Sequence, residues 1–117
     1  MTSGKEKFGA FIRREREARE IGLREMAKII GVSPIYVSKV ERDEFPPPAE
    51  DKARLIAVVI GFDADELFAR AGKVASGLSD IIRRNPVEVA ALLRTAKGLT
   101  ADDLQHLGRA AQKAKEK

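Results

Sequence analysis

Hydrophobic positions between Leu23 and Arg42 fall at helical spacing on both sides of one glycine, in the run LREMAKIIGVSPIYVSKVER. Ala27 sits where the first of two short helices must touch the second, and Gly31 falls where the turn wants a left-handed backbone. Val32, Val37 and Val40 supply the inward face of the second helix. Ser33, Pro34, Ile35, Tyr36, Ser38, Lys39 and Arg42 are left outward or on its flank. The pattern predicts helices over Leu23–Ile30 and Pro34–Arg42, with Ser33 as N-cap and Pro34 in the favoured first helical position.

Similar patterning frames this pair. Upstream, Phe8, Phe11, Ile12 and Ala18 outline a helix whose other face carries Arg13, Arg14 and Arg19. Downstream, Phe45-Pro46-Pro47-Pro48 cannot be helix interior and reads as a stiff loop. A fourth helix opens with Glu50 and Asp51 near its positive end, turns Ala53, Ile56, Ala57 and Ile60 inward, and stops at Gly61. Asp63 with Glu66 forms a capping box for a short fifth helix holding Leu67 and Phe68, closed by Gly72.

Beyond Lys73 the small residues of Val74-Ala75-Ser76-Gly77 mark a boundary, giving a domain over 1–72 and a helical segment over 73–117. Asn85-Pro86-Val87-Glu88 reads as N-cap, first-turn proline and capping glutamate of a helix carrying Val89, Ala90, Leu92, Leu93 and Ala96 and ending at Gly98. Thr100 to Asp103 repeats the capping signature for a last helix, with Leu104, Leu107, Ala111 and Ala114 on one side and Arg109, Lys113, Lys115 and Lys117 near its negative end. Three helices in roughly 40 residues hide little apolar area alone, so the segment needs a partner surface: the preceding domain or another subunit. The lysine-rich end reads as a solvated tail.

An Ala-x-x-x-Gly spacing by itself fits an ordinary helical hairpin with a core alanine and a C-cap glycine. The flanks carry more. Ile12, Arg13 and Arg16 on the first helix, G-V-S-P-x-Y-V-S-x-V-E-R across the turn and G-F-D-A-D-E-L closing the fifth helix resemble the Cro and lambda-repressor type of DNA-binding domain, the XRE family, from about Phe8 to Phe68. The resemblance implies an all-α fold, a five-helix lambda-repressor-like helix-turn-helix domain with a short helical C-terminal segment. It implies a family salt bridge between Arg16 and Glu41. It also implies double-stranded DNA as partner, with Ser33, Pro34, Ile35, Ser38 and Lys39 facing bases and Tyr36, Arg42, Arg24, Arg13 and Arg14 at or near phosphates. Three positions depart from the family pattern. Gly22 stands where Ser or Thr usually caps the second helix, with Glu25 left to play the other half of a box; Leu23 replaces a glutamine; and Asp43 replaces a glycine. Asp43 and Glu44 also put negative charge beside Arg42.

Composition adjusts this picture little. Of 117 residues 44% are hydrophobic and 34% charged, ordinary for a helical globular chain, and the net charge of +4 agrees with a polyanion partner without establishing one. With no cysteine there are no disulfides, thiolate metal sites or cysteine nucleophiles, which fits a reducing cytoplasm. No signal-peptide core or bilayer-length apolar run is present, so no membrane partner is expected. His106, the single histidine, has no companion ligands at metal spacing, the acidic pairs sit at helix starts, and the glycines are punctuation between helices. Neither a cofactor nor catalysis is expected. The reading is a transcriptional regulator, a repressor binding a palindromic operator as a homodimer through residues 73–117. The alternatives are an antitoxin or immunity component that binds a protein partner and represses its own operon, and an interaction module whose DNA affinity is lost.

Overall fold

The computed structural model describes residues 6–116. Among them are eight α-helices and no strand: α1 (Phe8–Ala18), α2 (Leu23–Ile30), α3 (Pro34–Glu41), α4 (Glu50–Ile60), α5 (Ala64–Arg70), α6 (Ser76–Arg84), α7 (Pro86–Ala96) and α8 (Ala101–Lys115). Lys117, assigned from the sequence to the basic end of the last helix, lies outside the described residues. The chain divides into two compact units, one ending at Ala75 and one beginning at Ser76.

The first unit is built around Phe11, Ile12, Met26, Ile30, Ile60 and Leu67, the largest fully buried side chains, joined by Ala27, Val37, Val40, Ile56 and Ala57. Burying each large apolar side chain stabilises the fold by about 1.5–3 kcal/mol, so the repeats of three and four along α1 to α5 account for most of the drive to fold. Glycine ends α2 and α4 in the left-handed region, Gly31 at φ 77° and Gly61 at φ 72°, where a side chain would be strained. Phe11 meets the edge of Phe62 at a centroid distance of 5.0 Å and lies under the Arg70 guanidinium at 4.1 Å, which ties α5 to α1. A smaller cluster of Ala53, Phe68 and Ala75 closes the unit. Because Ala75 is buried there and Lys73 N–H donates to Phe68 O at 2.8 Å, the division falls a few residues beyond the compositional boundary.

Several local expectations are corrected. Ala18 is exposed, and the inward stripe of α1 continues through Arg16 instead. Asn85 at φ −139°, ψ 64° makes no side-chain cap bond, so Pro86 alone sets the start of α7. Asp63 accepts from Asp65 N–H at 2.8 Å and Glu66 N–H at 3.4 Å, but no return bond from the Glu66 carboxylate closes the box. At α2 the N-cap Gly22 has no side chain to offer and Glu25 supplies no reciprocal bond. Thr100 and Asp103 do form a complete box.

In the second unit, α6, α7 and α8 bury none of their side chains. Leu78, Ile81, Val87, Leu92, Leu93, Leu104 and Leu107 are all exposed.

Candidate nucleic-acid interface

The outward surface of α3 depends on how tightly its other side is held. Ser33 Oγ accepts from Tyr36 N–H at 3.1 Å and Pro34 occupies the first turn, so the helix starts sharply after the glycine turn. In that turn Val32 N–H donates to Ala27 O at 3.0 Å, which locks α3 to the end of α2. Val37, Val40 and Glu41 are buried.

Glu41 is half of the bolt between α3 and α1. Arg16 Nε and Nη2 donate to its two carboxylate oxygens at 2.7 and 3.0 Å, and Nη1 donates to Ile21 O at 2.7 Å. The bonded Glu41 carboxylate raises the Arg16 guanidinium above its ordinary value. Removing one partner of such a buried bidentate pair costs about 3–5 kcal/mol, because the other is left uncompensated. The pair is scaffold.

A second attachment had no sequence signal. Asp43, just past α3, holds φ 59°, the backbone conformation a glycine would adopt easily, and its Oδ1 accepts from Gly9 N–H at 2.9 Å. That bond supplies α1 with the cap its own N-cap residue, Lys7, does not provide. Gly9 is needed for the approach: a Cβ there would lie 2.2 Å from Val40 O and 2.6 Å from Glu41 O. The Asp43 carboxylate is therefore spent on the fold rather than turned wholly toward the surface.

Among the residues assigned to DNA, Ile35 is 68% exposed and free of the core. Tyr36 is half-buried and packs against the core with its ring 5.7 Å from that of Phe45, while Ser38 and Lys39 are half-buried one turn on. Arg42, at the C-cap of α3, is exposed and pairs with Glu44 at 3.1 Å. A cleft of about 150 Å³ brings Arg13, Ser38 and Arg42 together over the Arg16–Glu41 pair, with Leu23 on its wall. Arg14 is not part of it. Its guanidinium is engaged by Glu6 at 2.7 Å and Glu15 at 2.6 Å, and chiefly the bond to Glu6 raises it above its ordinary value. Arg13 pairs with Glu17 at 3.2 Å, whereas Arg24 is exposed and makes no ion pair among the described residues.

Phe45, from the sequence simply the start of a stiff loop, has a further contact here. Its ring lies beneath Lys39 Nζ at 5.3 Å. An aromatic four residues past the last buried position of α3 and ahead of three prolines was the available signal.

Other chemistry is sparse. Among the described residues no three His, Cys, Asp or Glu side chains are grouped to hold a metal ion. His106 sits between Asp102 at 3.4 Å and Arg109 at 3.0 Å on exposed α8. No helix among the described residues is long and apolar enough to cross a membrane.

Residues 7–70 match the family described as helix-turn-helix domain. Over 94 residues the chain is 31% identical to an uncharacterized HTH-type transcriptional regulator of Mycobacterium tuberculosis, a match covering 80% of this chain and 66% of that protein. It is similar also to the ImmF control region 10 kDa protein of Bacillus phage phi105, 36% identical over 67 residues, covering 57% of this chain and 72% of the phage protein. A solved SinR protein/SinI protein complex aligns over 94% of this chain and 99% of the matched chain, at 17% identity and a TM-score of 0.49.

Proposed function

The chain belongs to the helix-turn-helix domain family, and from that premise we propose that it is a transcriptional regulator that binds double-stranded DNA sequence-specifically through α3. It acts as a repressor, binding a palindromic operator as a homodimer in the cytoplasm, without cofactor or catalysis. The observation that carries this reading is the contrast between the two sides of α3. One side is bolted down by the Arg16–Glu41 pair, the other presents Ile35, Ser38 and Lys39 for a major groove. The loss of one good side-chain contact to a base edge costs about 1–3 kcal/mol of discrimination. Ile35→Ala, Ser38→Ala and Lys39→Ala are therefore expected to keep the fold and lower the ratio of operator to scrambled-DNA affinity, by roughly 5- to 150-fold where the residue reads a base. Ratios unchanged in all three variants would overturn the assignment.

A second reading is favoured by the apolar side chains left exposed along α6 to α8 and by the name of the phage relative, which belongs to the ImmF control region. In it the C-terminal segment binds a different protein while the first unit represses its own operon. Co-purification of a stoichiometric foreign chain, in place of a second copy, would decide for it.

A further inference from the structure

Phe45 is 39% exposed and belongs to neither apolar cluster, so packing alone does not account for it. Its backbone is nevertheless fixed from both sides. Phe45 N–H and Glu44 N–H both donate to Lys39 O, at 3.2 and 2.9 Å, and Pro46-Pro47-Pro48 follows with its restricted φ angles, Pro48 being buried. The ring is thereby held against two residues of α3 at once: Tyr36 at 5.7 Å between centroids, and Lys39, whose Nζ stands 5.3 Å from the ring centre. The second distance is within the range of a cation–π contact.

The neighbouring charges give that contact a consequence. Glu41 is taken by Arg16 and Glu44 by Arg42. Lys39 makes no ion pair among the described residues, and a neutral ring holds its ammonium without cancelling the charge. A lysine has a flexible four-carbon stem, and a contact that narrows its rotamers lowers the ordering cost of binding. We propose that Phe45 is a positioning residue of the DNA-reading surface: its ring holds Lys39 in the direction from which it meets a base edge and braces Tyr36 beside it. The proposal rests on the reading in which α3 reads DNA.

The test compares Phe45→Leu, which keeps apolar bulk but has no π face, with Phe45→Tyr, which restores one. A cation–π contact at an exposed site corresponds to roughly two- to fivefold in an equilibrium. Phe45→Leu is expected to lower the operator-to-scrambled ratio by about that factor with its melting temperature retained, and Phe45→Tyr to recover it. Lys39→Ala should cost less discrimination in the Phe45→Leu background than in the wild type, since the two act as one unit. Phe45→Met, also without a π face, replaces Phe45→Leu if leucine lowers the melting temperature. Independently of DNA, the Lys39 ε-methylene protons should be shifted upfield by the ring in the wild type and Phe45→Tyr but not in Phe45→Leu. Wild-type discrimination in Phe45→Leu, with an undiminished cost for Lys39→Ala, would overturn the proposal while leaving α3 as the reading helix. A wild-type ratio of about one would remove the premise and this role together, the proton shift still reporting whether the contact exists.

Discussion

Gly9 illustrates how much of this fold rests on single atoms at a distance in sequence. The hydrogen that stands in place of its side chain lets α1 approach the last carbonyls of α3 and donate its N–H to Asp43. Gly9→Ala puts a methyl group into backbone that cannot yield cheaply, and is expected to cost about 3 kcal/mol, at the upper end of overpacking effects. Urea unfolding of the variant beside wild type measures it; a loss below about 0.5 kcal/mol, the usual size of a surface effect, would mean that the helices separate freely. None of this was legible in the sequence, because the partner of Gly9 lies 34 residues away and neither residue matches a local pattern. Asp43 was visible there only as a missing glycine and an awkward charge. By contrast, Arg16 and Glu41 were assigned as a pair from their family positions, which their bidentate geometry matches.

At the scale of helices, some of the local chemistry at the ends was legible. Ser33, Thr100, Gly31 and Gly61 behave as their side chains, or lack of one, dictate. The pattern misled at Ala18 and Asn85 because small and polar residues are weak indicators: alanine is tolerated on either face, and Asn85, at φ −139° and ψ 64°, makes no side-chain cap bond. Gly22 gives a direct test of the capping argument. It has cap-like extended dihedrals, φ −70° and ψ 156°, and an added Cβ would meet nothing within 4 Å. Gly22→Ser should therefore stabilise by about 1 kcal/mol, part from the hydroxyl's bond to α2 and part from a less flexible unfolded chain. Thermal unfolding of Gly22→Ser and Gly22→Ala separates these parts, and a serine no more stabilising than alanine would deny the cap. The positions of α3 expected to face outward are exposed or half-buried, but the contact of Phe45 with Lys39 was not legible, since it requires the loop to fold back onto Lys39 O.

For the whole molecule, the two units differ in how much apolar surface they bury. The first has a closed core, whereas α6 to α8 leave several leucines, Ile81 and Val87 in the open, a condition that a second copy would relieve and that a twofold DNA site would use. A chain ended after Ala75 keeps the Ala53–Phe68–Ala75 cluster and is expected to remain folded, to sediment as a monomer, and to lose roughly 100-fold or more in operator affinity as the half-sites become separate binding events. If the shortened chain stayed dimeric, the interface would belong to the first unit. Whether the protein binds DNA sequence-specifically is decided by titrating the full chain with a duplex selected from a random pool and with its scrambled counterpart, at several salt concentrations. Affinity for both is expected to fall with salt, at a slope near −0.9 per phosphate neutralised, and the selected duplex to bind roughly 10³-fold or more tightly than the scrambled one. Binding that is flat with salt and equal for the two duplexes would contradict sequence-specific DNA binding.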